Sequence, residues 1–175
     1  VREAQRRGVR ELRRAEGQRG AERVRLLRIA TRLDPLNAEA ALALAEALRD
    51  AGGERSGRVE FVEAVGRARV LTTPSAGLLA AGGRAAAAEG SPTLAAALFS
   101  AAYLRDDGSL SDGDSRRLGG ELAAALLGVG ETAAALELVR RGRIDADTLP
   151  AASARRLADL ALASGEATLA AALAP

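Results

Sequence analysis

The stretch from Leu78 to Ala102, LLAAGGRAAAAEGSPTLAAALFSAA, is two Ala- and Leu-rich segments divided at Gly90-Ser91-Pro92. Glycine there supplies a turn, and Pro92 is at home in the first turn of a helix running to about Leu104. The construction recurs along the chain. Gly17, Gly52, Gly90, Gly130 and Gly165 lie 35, 38, 40 and 35 residues apart, each preceded and followed by a helical stretch. That period is the mark of a repeating helical hairpin. One hairpin cannot cover its own apolar face, so stacked copies share a continuous core and offer long surfaces to other proteins.

Composition agrees. The 175 residues are 48% apolar, enough to build a core, and almost all of that is Ala, Leu and Val, with only Phe61, Phe99 and Tyr103 aromatic. Small residues favour close helix packing, and the scarcity of β-branched and aromatic residues disfavours a sheet. We therefore expect an all-α fold. All 25 basic residues are Arg, and Lys, His and Cys are absent. This reads as the coding bias of a GC-rich bacterium. The distribution of charge is more informative than its amount: residues 1–32 hold 11 Arg and 4 Glu, a net of +7, while residues 33–175 hold 14 Arg and 19 acids, a net of −5. Without Cys, the cytoplasm and the periplasm are both open. No run of about 18 apolar residues is present to span a bilayer. The sequence begins at Val1 rather than Met, which leaves room for a leader, an anchor or a longer upstream segment.

Helical periodicity is clearest from Ala38 to Leu48, where Ala41, Leu44, Ala45 and Leu48 form one stripe and Asn37 is placed to cap it. Gly52-Gly53 ends that helix, and a second runs from about Gly57 to Val70, before Thr72, Thr73 and Pro74. Residues Arg105 to Ser115 read as the longest loop. Leu118 to Leu127 and Thr132 to Arg141 form the fourth hairpin, and Ser153 to Ser164 with Glu166 to Pro175 a shortened fifth.

Relative to each turn glycine, positions 11, 8, 7 and 4 before it and 5, 9 and 12 after it resemble the tetratricopeptide pattern. The third unit fits best, with Leu79, Gly82, Gly83 and Ala86, then Ala95, Phe99 and Ala102. Phe61 of the second unit occupies the same place as Phe99. The first unit departs, with Arg6, Val9, Arg10 and Arg13 at the core positions, so residues 1–16 read as an Arg-rich cap contributing little to the core, and residues 17–175 as the repeat domain. The resemblance implies a short right-handed α-solenoid of about five helical hairpins. It also implies an inner groove lined by first-helix residues 13, 10, 6 and 3 before the glycine: Glu39, Leu42, Glu46, Arg49, Arg84, Arg117, Arg155 and Asp159. Three arginines in the later units favour an acidic or carboxylate-ended peptide there.

Most catalytic chemistry is excluded by residue type. Without His, Cys or Lys there is no Ser-His-Asp or Cys-His site, no zinc cluster, no Schiff base and no phosphate-loop lysine. Gly128-x-Gly130-x-x-Ala133 has the letters of a dinucleotide fingerprint but follows a helix where that motif needs a strand. The acidic loop Asp106 to Asp114 lacks the ligand spacing of a calcium loop. We expect no enzyme, no cofactor, no metal and no small-molecule substrate.

What remains is binding. Arg2, Arg6, Arg10, Arg13 and Arg14 form a basic stripe, read either as a solvated cap or protein contact, or alternatively as a surface for nucleic acid or anionic lipid. No aromatic residue lies in the first 60 to stack on a base. At the other end Leu169 and Leu173, with no charge after Glu166, predict an apolar edge covered by a partner chain. The sequence reads as a non-enzymatic interaction scaffold, or a subunit of a larger bacterial assembly.

Overall fold

The computed structural model describes residues 2–52, 55–105, 107–142, 144 and 146–174, with the backbone alone at 55 and 56. Val1, Gly53, Asp106 and Pro175 lie outside the described residues. Among those described there are ten α-helices and no strand: α1 (Arg2–Glu16), α2 (Gly20–Leu33), α3 (Ala38–Ala51), α4 (Arg55–Leu71), α5 (Ala76–Ala88), α6 (Pro92–Tyr103), α7 (Asp112–Gly128), α8 (Thr132–Arg140), α9 (Ala151–Ala163) and α10 (Ala167–Leu173). Each helix packs on the next, and α3 also touches α5, as α7 touches α9. The result is an α-solenoid of five tetratricopeptide-like hairpins.

Gly52, Gly90, Gly130 and Gly165 turn four of the hairpins in the left-handed region, with φ between +56 and +86. The first hairpin departs from the sequence reading. Gly17 has no positive φ; the chain leaves α1 through a Gln18 N–H to Ala15 C=O bond and reverses at Gly20, φ +57. With two glycines three apart, the left-handed residue falls on the one that opens α2.

That shift also moves the register of α1. Its inward stripe is Gly8, Leu12 and Ala15, one helical turn apart, and Leu12 is only 5% exposed within the main core. Residues 1–16 were expected to add little to the core; instead this stripe seats α1 on α2, and the arginines fall on the outer side. Gly8 permits the approach, since a Cβ there would stand 3.3 Å from the Ala30 carbonyl oxygen.

The loop expected from Arg105 to Ser115 is shorter. Ser111 accepts a hydrogen bond from the Asp114 amide at 3.1 Å, and α7 starts at Asp112. Asp112 and Asp114 then sit in the first turn, where the helix dipole favours acids. Asp107 ties the remaining loop to α5, accepting from the Ala76 and Ser109 amides at 3.1 Å each. The Ser109 hydroxyl first, then those amides and Arg105, hold the Asp107 carboxyl down at about 2.

Phe61 and Phe99 are both buried in one core cluster, as their shared repeat position predicts. Leu118 and Leu122 on α7 close that cluster, while Ala123 and Leu127 open a second one shared with α8, α9 and α10. Between α8 and α9, Ile144 and Leu149 plug the second cluster around a single 3-10 turn at Ala146–Thr148. Gly120 makes room for it. A Cβ there would lie 2.3 Å from the Thr148 carbonyl oxygen.

Candidate functional site

Beyond sequential neighbours, α3 touches α5 and α7 touches α9, and ion pairs join α2 to α4 and α5 to α7. On the second-helix side Arg28 of α2 grips Glu60 of α4, with Nε 2.6 Å from Oε1. Arg140 of α8 likewise holds Glu166, the residue before α10, through Nε at 2.9 Å. Each arginine holds its carboxyl partner below the usual carboxylate range, chiefly by this hydrogen bond.

On the first-helix side lies a network the sequence reading missed. Arg84 of α5 places Nε 2.9 Å from both oxygens of Glu121 on α7, and Arg117 donates to the same carboxylate at 2.9 Å. Two of the three groove arginines expected to attract an acidic peptide thus share one carboxylate within the chain, which offsets one of their two charges. The signal was in the sequence: Arg117 and Glu121 are four apart on one helix face. Arg84 Nη2 is buried and makes no hydrogen bond, its other carboxylate neighbour being Asp114 Oδ1 at 3.9 Å.

Of the remaining groove residues, Glu39, Arg155 and Asp159 are exposed, and Arg49 is exposed but paired with Asp50 at 3.2 Å. Leu42 and Glu46 are half-buried, Leu42 against the main core.

Beside the Arg84–Glu121 pair a cavity of about 470 Å³ opens between α5, α6 and α7, with Ala87, Ala124, Ala95 and Phe99 among its walls. Small side chains produce it. Where the repeat pattern would accept larger residues, this unit carries Ala and Gly, and the wall is almost wholly apolar apart from the ion pair. Catalytic groups do not converge there. Among the described residues no group of His, Cys, Asp or Glu is arranged to hold a metal ion; Asp107 tethers its loop to α5 and the Asp114 carboxylate accepts from the Ser111 hydroxyl at 2.7 Å.

At the C-terminal edge the two predicted contacts separate. Leu173 is 2% exposed and belongs to the chain's own second core, so it is withdrawn from any partner. Seven residues make too short a helix to stand alone, and burying Leu173 and Ala170 is what fixes α10. Leu169 is half-buried on that cluster, and Leu162 of α9, 59% exposed, is the large apolar side chain left facing outward. Arg2, Arg6, Arg10, Arg13 and Arg14 are all exposed on α1, and Arg14 pairs with Glu11 at 3.1 Å. No described helix is long and apolar enough to cross a membrane.

No protein-family profile matches the chain, and no curated protein matches it in sequence. Among solved structures, a crystal structure of MamA superposes with a TM-score of 0.51 at 18% identity, covering 87% of this chain and 82% of that one. A second structure, of MamA protein, gives 0.51 at 15% identity, covering 97% and 85%. The chain is therefore similar in fold to MamA, a tetratricopeptide-like helical solenoid.

Proposed function

We propose that this chain is a non-enzymatic protein–protein interaction scaffold, or a subunit of a bacterial multiprotein assembly, that holds a partner segment along its first-helix groove. The observation that carries this reading is the cavity of about 470 Å³ between α5, α6 and α7. Its Ala-rich walls suit one bulky apolar side chain, and the Arg84–Glu121 pair at its side can exchange hydrogen bonds with the backbone that brings it. Exposed Glu39, Arg155 and Asp159 give the rest of the groove mixed charge, which serves register more than affinity. A second contact lies at the C-terminal edge, through Leu162 and the half-buried Leu169 rather than Leu173.

Selection of a random peptide library on the full chain tests this. Enriched peptides are expected to share one large apolar residue and to lose binding at least about tenfold to Ala124→Trp, whose ring fills the cavity. Peptides that bind Ala124→Trp as well as the parent chain would move the site elsewhere.

A further inference from the structure

The arginines of this protein are used in two different ways. From α3 onward most of those described face a carboxylate, as at Arg58–Glu89, Arg84–Glu121 and Arg140–Glu166, with Arg67, Arg69, Arg116 and Arg155 among the exceptions. On α1, Arg2, Arg6, Arg7, Arg10 and Arg13 make no ion pair or hydrogen bond among the described residues, Arg14 alone being paired. The carboxylates near them compensate only in part: Glu11 is taken by Arg14 and Glu22 on α2 by Arg25, while Glu3 and Glu16 are exposed on α1, whose six arginines and three glutamates leave a net of +3.

These side chains also have a shape. Arg2, Arg6, Arg10 and Arg13, with Gln5, surround Val9 in a shallow depression of about 520 Å³. Val9 is 38% exposed, an apolar point at the centre of a basic frame. The frame runs along one straight helix for about 17 Å, at 1.5 Å per residue. It lies on the side of α1 away from α2, and none of the described helices packs on it.

We propose that this face docks an acidic amphipathic helix of a partner protein. A helix lying along α1 puts one apolar side chain into the depression on Val9, and carboxylates one turn to either side meet Arg2 and Arg6, and Arg10 and Arg13. A nucleic acid matches less well, since phosphates have nothing to set on Val9 and no aromatic residue among the first 60 can stack on a base. A bilayer matches less well too. The apolar stripe that would insert, Gly8, Leu12 and Ala15, is already buried against α2. This surface is separate from the groove and stands or falls without it.

The full chain can be titrated with a labelled synthetic four-turn helix carrying glutamates around a central leucine, a scrambled peptide of the same composition, a DNA duplex, and phosphatidylserine-containing vesicles. The patterned helix is expected to bind at least about tenfold tighter than the scrambled peptide, and to weaken steeply with salt. Val9→Asp should erase that preference, and Arg6→Glu with Arg13→Glu should abolish binding of both peptides. All three positions are exposed, so the variants should keep the parent circular dichroism. Equal binding of both peptides, tighter binding of DNA or vesicles than of the helix, or no binding at all would each overturn the proposal, the last making α1 a solvated cap.

Discussion

The ring of Phe99 lies directly on the backbone of Gly83: a Cβ on that glycine would stand 2.6 Å from both Cδ1 and Cε1. One step along the helix, Gly82 meets Val65 of α4 in the same way, at 2.8 Å. Two adjacent glycines in α5 thus bring its neighbours on both sides into contact with bare backbone. A helix interior normally disfavours glycine by about 1 kcal/mol, and here the close packing offsets it.

Gly83→Ala should therefore destabilise the protein by about 1–2 kcal/mol, overpacking outweighing the gain in helix propensity. Gly66→Ala in α4, where nothing lies within 4 Å of the added methyl, should stabilise it by about 0.5–1 kcal/mol. Phe99→Ala should cost about 3–5 kcal/mol. Urea unfolding of the three variants checks the order; equal effects at the two glycines would remove the close contact.

Leu12→Ala should cost about 2–4 kcal/mol, because the side chain belongs to the main core. Arg13→Ala, next in sequence but exposed, should stay within about 0.5 kcal/mol of the parent. Thermal melts of the pair decide whether α1 is a structural member of the stack.

Glu121→Gln should lower stability by about 1–2 kcal/mol, between the values typical of exposed and buried pairs, because it leaves Arg84 and Arg117 without their shared carboxylate. It should also make the groove bind anionic peptides more tightly than the parent chain does. A double-mutant cycle with Arg84→Ala measures the coupling, and a coupling near zero would mean that Arg84 is solvated without Glu121.

Acid should unfold the protein through carboxylates whose folded pKa is depressed: Asp107, at about 2, and Glu22, Glu60, Glu137 and Glu166, each held down by a hydrogen bond from a neighbouring group. Such groups stabilise the fold above their unfolded values near about 4, and that contribution is lost as pH falls towards 2. Asp107→Asn should flatten the part of the profile below pH of about 4. Urea midpoints measured across that range provide the comparison; an unchanged slope would detach Asp107 from acid unfolding.

Much of the fold was legible because helix periodicity, turn glycines and the repeat period are all local properties of the chain. The shared place of Phe61 and Phe99 followed from that period alone. The first hairpin and the start of α7 were misjudged for local reasons too: Gly17 and Gly20 compete for one turn, and the Ser111 cap was hidden in an Asp- and Gly-rich segment. The candidate site was less legible. Arg84, Arg117, Arg155 and Asp159 were found by counting back from a glycine, which gives a face and not a partner.

Sequence by itself determined that the chain is all helix, that hairpins repeat, and that positive charge gathers in the first 32 residues, since each depends only on residue type and spacing. Tertiary structure decided which charges remain available. Arg84 and Glu121 are 37 residues apart and meet only because α5 and α7 stack, whereas stacking brings no carboxylate to Arg6 and Arg13. It decided likewise that Leu173 turns inward while Leu162 stays exposed, because burial depends on which helix lies alongside, and no local pattern carries that information.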